Sequence, residues 1–163
     1  MDDALHRNFK DRLERSGPAV LAVARALTAK GYRVDVIPTT VAPTRDDAPK
    51  HSDNGDLYIK SAGDSFGGMH RIEVKHRPST KFTSAETWDF PDGIMYLIAK
   101  DRWDAMDPKA RAVVVVNGPM THIAIAMAGE PWEVRKVRDN ERGHEYDCYV
   151  CHVRYATFHK IGR

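Results

Sequence analysis

MHRIEVKH, residues 69–76, reads as a β-strand that carries a glutamate and a lysine two residues apart. Met69, Ile72 and Val74 are its apolar members, whereas Glu73 and Lys75 stand two apart and so project from one face of a strand. A carboxylate beside an ammonium on a strand face has two explanations. On a solvated face they form an ion pair worth about 0 to 1 kcal/mol while Ile72 and Val74 turn toward the core. At the edge of a site, further residues with matching chemistry should converge on them.

The preceding residues supply such a group. GDLYIK (55–60) reads as a short strand, and SAGDSFGG (61–68) has the glycines of a turn into residues 69–76. A hairpin of these two strands carries Asp56, near the start of one, toward Glu73, near the end of the other. Two carboxylates can hold Mg²⁺, which keeps most of its waters and needs only one or two protein carboxylates. With a lysine to orient water or offset charge, that is the equipment of metal-assisted phosphodiester cleavage. Asp53 is a competing acid in the loop before Asp56, and Asp64 belongs to the turn.

Charge distribution points the same way. The net charge is only +2, yet His70, Arg71, Lys75, His76, Arg77 and Lys81 cluster around Glu73, the only acid between residues 70 and 81. Such clusters are either solvated faces or phosphate contacts, and Arg71, His76, Arg77 and Lys81 are the candidates for nucleic-acid binding. A second basic run holds Arg135, Lys136, Arg138 and Arg142. Trp88 and Trp103 are candidates either for base stacking or for the core.

Farther out, Leu5, Phe9 and Leu13 form a helical stripe, and Val20, Val23, Ala24 and Leu27 form another that begins near Ser16 and Pro18 and stops at Gly31. YRVDVI (32–37) alternates as a strand, and 38–54, with three prolines, reads as a long loop. IMYLIA (94–99) fits a buried strand, DRWDAMD (101–107) a short helix capped by Asp101, and RAVVVVN with THIAIAM a hairpin around Gly118 and Pro119. YDCYVCHVRYATFH (146–159) alternates as one more strand. The expected class is α+β: a central mixed β-sheet flanked by helices, with additional C-terminal strands.

The chain of 163 residues is read as a single domain. It has no apolar run of membrane-spanning length and no apolar region of a signal peptide near its start, so a cytoplasmic protein without membrane partners is expected. A domain of this size also suits a phage or mobile-element protein.

The residues around Glu73 resemble the PD-(D/E)XK, or restriction-endonuclease-like, nucleases. Their signature is an aspartate at the start of one core strand, then a glutamate or aspartate, any residue and a lysine on the next, with a preceding helix that often carries another glutamate. Here Asp56, then Glu73, Val74 and Lys75 match, and Glu14 is the counterpart of the helix acid. The resemblance implies a restriction-endonuclease-like core and metal held by Asp56, Glu73 and the Val74 carbonyl, Mg²⁺ with Mn²⁺ as the alternative. It implies that Lys75 positions the attacking water, with its protonation state open. Asp56, Glu73 and Lys75 are thus the expected catalytic residues of an endonuclease acting on DNA. A homodimer is compatible, since cutting both strands of a duplex commonly takes two sites. Gly55 stands where the family often has proline, and the segment after Lys75 shows no clean long helix. The alternative function is a non-catalytic nucleic-acid-binding module on the same scaffold, and a third reading is a small interaction protein in which Glu73 and Lys75 are only a surface ion bridge.

CYVCH (148–152) matches a haem-attachment pattern that requires export, which the chain's start does not suggest. His144, Cys148, Cys151 and His152 are also zinc-type ligands. A strand would place Cys148 and His152 on one face and Cys151 on the other, which favours two reduced cysteines as small strand residues.

Overall fold

A computed structural model describes residues 17–37, 56–61, 69–138 and 143–162. Within them, α1 (described over 17–29) is followed by β1 (Tyr32–Val36), β2 (Leu57–Ser61) and β3 (His70–His76). Next come β4 (Ile94–Ala99), α2 (Lys100–Ala105), β5 (Ala112–Val116) and β6 (His122–Met127). The chain ends in β7 (Trp132–Arg138), β8 (Glu145–His152) and β9 (Thr157–Lys160).

This is an α+β fold. Its main sheet has six strands in the order β1-β2-β3-β5-β6-β9, and β4-β8-β7 form a second sheet. Strands β1, β2 and β3 are an antiparallel meander, β3 and β5 run parallel, and β5, β6 and β9 are antiparallel again. A parallel neighbour demands a crossover, and here the crossover from β3 to β5 contains β4 and α2.

The side-chain period of two divides each central strand between two cores. Ile72, Leu57, Ala112, Val114 and Val116 pack with Ala19, Val20, Val23 and Ala24 of α1. Val113 and Val115 face the other way, into a core with Met95, Tyr96 and Ile98 of β4 and Cys151 of β8. All five residues of β5 are therefore buried, as expected of a strand covered on both faces. One cover is the helix α1; the other is the second sheet with the short α2. The stripe of α1 follows its expected positions, and Gly31, at φ +92°, ends it in the left-handed region that glycine enters most readily.

Several elements differ from the sequence-based expectations. Residues 146–159 are two strands, not one, broken by a turn of 3₁₀ helix at Val153–Tyr155, and β8 and β9 join different sheets. The basic run at 135–138 lies in β7. Asp101 lies in the first turn of α2 rather than capping it, the cap position being Ala99. Leu5, Phe9, Leu13, Glu14, Ser16, Asp53, Asp64, Arg142 and the loop 38–54 lie outside the described residues.

A charged row between two sheets

Alternation along β3 continues past the Glu73–Lys75 pair in both directions. Arg71, Glu73 and Lys75, with Arg77 just beyond the strand end, share one face, and Ile72 and Val74 share the other. The partners of Glu73 and Lys75 across the parallel ladder are Val113 and Val115, which lie in the core between the sheets. The charged row is consequently turned inward. Arg71 is 2% exposed, Glu73 3% and Arg77 8%.

Leu57 pairs with Ile72, which places Asp56 one step beyond the ladder, opposite Glu73. At that point the β2 backbone no longer serves β3, and the Asp56 side chain takes its place: the Val74 N–H donates to Asp56 Oδ2 at 2.7 Å. Arg71 O accepts from Arg111 N, and Arg77 N donates to Val116 O, so the odd positions bond toward β5. The even positions bond toward β2, and the Val74 carbonyl therefore lies along the same edge as the Asp56 carboxylate.

Burial raises the Asp56 pKa, against the opposing effects of the Val74 N–H and the Arg71 charge. Burial also raises that of Glu73, helped by the nearby charge of Asp56, while Arg71 opposes both. Arg71 is bound to Glu73 Oε1, with Nε and a terminal guanidinium nitrogen each at 2.8 Å. On the other carboxylate oxygen, Oε2, the Arg102 guanidinium of α2 approaches to 3.9 Å.

Lys75 lies with its Nζ 6.0 Å from the Tyr96 ring centroid. Burial, reinforced by the charge of Arg77 and opposed by Cys148, lowers its pKa to about 8. Arg77 lays its guanidinium 3.6 Å from the Phe90 ring centroid and donates to the Met95 carbonyl at 3.3 Å. Its Nε is buried without a partner, and burial lowers its pKa to about 10. Burial raises the Tyr96 hydroxyl pKa, reinforced by Glu73 and Asp56.

Asp56, Glu73 and Val74 are thus brought together as the sequence implied, whereas Lys75 shares the face of Glu73 with its amine toward the Tyr96 ring and near Arg77 and Cys148. Arg71, expected among phosphate contacts, is turned inward onto Glu73. His76 lies on the α1 side of the strand with its ring Nε2 3.2 Å from the Gly118 carbonyl. Lys81 is exposed, and its N–H bonds Asp89. Trp88 and Trp103 pack against the inter-sheet core. Alternation alone would have found Arg71 as the partner of Glu73; Arg102 and Tyr96 arrive by long-range packing and leave no local signal.

Cys148 and Cys151 are both buried free thiols in β8. His152 accepts from Arg154 N, and the His144 ring lies 5.8 Å from that of Tyr146. Among the described residues no three His, Cys, Asp or Glu side chains form a metal-holding group. Asp56 and Glu73 are a pair of carboxylates, and with the Val74 carbonyl they offer only oxygen, the donor type of a hard dication. Their mutual repulsion in a buried place is what such an ion would relieve, and that donor set fits Mg²⁺ or Mn²⁺.

Comparison with protein-family models, with curated proteins and with solved structures returned no match in any of the three.

Proposed function

We propose that this protein is a divalent-metal-dependent nuclease that hydrolyses phosphodiester bonds, a DNA endonuclease in the first instance. The observation that carries this is the meeting of Asp56 and Glu73 across adjacent strands, with Lys75 on the same face two residues on. Asp56, Glu73 and the Val74 carbonyl would hold Mg²⁺, or Mn²⁺ in its place. That ion supplies Lewis-acid polarisation of the phosphoryl oxygens and acidifies water.

Hydrolysis adds a water oxygen to phosphorus and expels a sugar oxygen that takes up a proton. Lys75 has the pKa for work near neutrality: its charged form offsets the growing phosphoryl charge, and its neutral form accepts a proton from water. Glu73 is covered, so substrate approaches from the half-buried Asp56 and Lys75. Arg71 holds Glu73 in place and compensates its charge.

The test is incubation of the protein and its Lys75→Ala variant with supercoiled plasmid, linear duplex, single strands, a branched junction and RNA, in Mg²⁺, Mn²⁺ or EDTA. Metal-dependent cleavage by the parent alone supports the proposal. Failure of a folded parent to cut any substrate overturns it.

One observation favours a second reading. The Arg71 guanidinium already occupies Glu73 Oε1, as it would in a non-catalytic nucleic-acid-binding module. That module binds in a salt-dependent way without metal.

No helix among the described residues is long and apolar enough to cross a membrane. The proposal includes a cytoplasmic location, nucleic acid as partner and a homodimer for cutting duplexes; light scattering with and without duplex tests the last.

A further inference from the structure

Of the four charges in the row, two are matched and two are not. Arg71 and Glu73 bind each other. Lys75 and Arg77 follow on the same face, where the Arg77 charge disfavours that of Lys75, and neither has an ion pair among the described residues. Buried cations are normally paired. Arg77 is the sharper case, because it is more than nine-tenths buried and still leaves its Nε without an acceptor.

The surroundings fix Arg77 and, among the described residues, give it no carboxylate. Its backbone N–H is bonded to Val116 O, and its carbonyl accepts from both the N–H and the hydroxyl of Thr80. Phe90 covers the guanidinium plane. A planar cation held flat, with an edge donor unused and a lysine two residues away, is a donor array for a tetrahedral oxyanion.

We propose that Lys75 and Arg77 form an anion subsite in the seam between the two sheets, which takes a phosphate group. The role of that phosphate in catalysis rests on the nuclease proposal: it is then a phosphate of the nucleic-acid backbone, set beside the Asp56–Glu73 pair. Arg77 acts there as a binding residue, its planar fork taking two phosphate oxygens.

Calorimetric titration of the metal-free protein with inorganic phosphate, against sodium chloride at matched ionic strength, tests the subsite directly. A 5′-phosphorylated dinucleotide in a parallel titration distinguishes a backbone phosphate from free phosphate. The parent should bind phosphate, and Arg77→Gln and Lys75→Gln should each weaken it by about tenfold or more. Arg77→Lys, which keeps the charge and loses the fork, should recover only part of the affinity. Without phosphate, Arg77→Gln should melt no lower than the parent, because it removes an unmatched buried charge; a purely structural arginine would give a lower melting temperature. If Arg77→Gln does not fold, the parent titration and Lys75→Gln decide.

Phosphate affinity unchanged in Arg77→Gln and in Lys75→Gln, or no phosphate heat in the parent beyond that of chloride, overturns the subsite. Phosphate binding by a parent that cuts no nucleic acid keeps the subsite and removes the nuclease. Cleavage with an unaltered KM in Arg77→Gln does the reverse.

Discussion

At the scale of single residues, Asp56 and Glu73 work against folding when no cation is present. Both pKa values are raised above the ordinary 3.8 and 4.5, so the folded chain holds these protons more tightly than the unfolded chain. The stability they contribute is fully present below those ordinary values and is lost as pH rises through the raised ones. Asp56→Asn keeps an acceptor for the Val74 N–H and removes the charge. In EDTA at pH 7 it should be more stable than the parent by about 1 kcal/mol in urea melts, and it should lose any stabilisation by Mg²⁺. A less stable Asp56→Asn would count against a strained carboxylate pair.

The partner cation behaves oppositely. Arg71→Met leaves the buried Glu73 with only the Arg102 guanidinium at 3.9 Å and should cost about 3 kcal/mol, part of which Mg²⁺ restores in the same melts. Lys75 has its folded pKa lowered from 10.5 to about 8, so the unfolded chain binds the proton more tightly. The stability difference, parent minus Lys75→Met, should therefore rise as pH climbs from about 8 toward 10.5, and a flat difference would place the amine in solvent.

At the scale of elements, the turn from β5 to β6 sets the end of the charged row. Asn117 is fully buried and donates to Phe82 O and the Thr121 hydroxyl while accepting from the N–H groups of Thr121 and His122. Beside it, a Cβ on Gly118 would stand 2.3 Å from Pro78 O and 2.8 Å from Thr80 O, both backbone atoms. Gly118→Ala should cost about 1 to 3 kcal/mol in urea melts, because the segment that follows Arg77 must move away. In the nuclease assay it should also lower activity more than a distant substitution of equal stability cost.

The elements also show what the sequence could tell. Asp56 next to Glu73 was legible, since a short glycine-rich stretch between two strands leaves little choice of partner, and the alternation of 70–76 sorted its side chains correctly. That the charged face is the covered one was not legible, because its cover comes from β4, β7 and β8, all distant in sequence. WEVRKVR hid for a related reason: an exposed strand with charges on both faces lacks the apolar alternation that marks a strand. The break between β8 and β9 turns on three residues at Val153–Tyr155, whose pattern continues the alternation and so carries no stop signal.

At the scale of the molecule, the two cores lie on opposite faces of β5, through Val113 and Val115 on one side and Val114 and Val116 on the other. Neither core closes without that strand, so unfolding should be a single transition. Trp88, Trp103 and Trp132 all pack on the inter-sheet side and report its opening by fluorescence, while circular dichroism reports the whole. The two curves should coincide; a fluorescence change at lower denaturant would mean that the second sheet detaches first.

The second sheet has a further consequence, which concerns how the site is encoded. The charges ride on β3 and the residue that leads into β2, whereas the wall that faces them is assembled from the segment between β3 and β5 and from a hairpin that follows β6. The apparatus and its enclosure are thus encoded in separate stretches of chain. Substitutions in the enclosure can therefore remodel the seam while the charged row keeps its register, so that under the nuclease proposal substrate choice and hydrolysis are open to separate change.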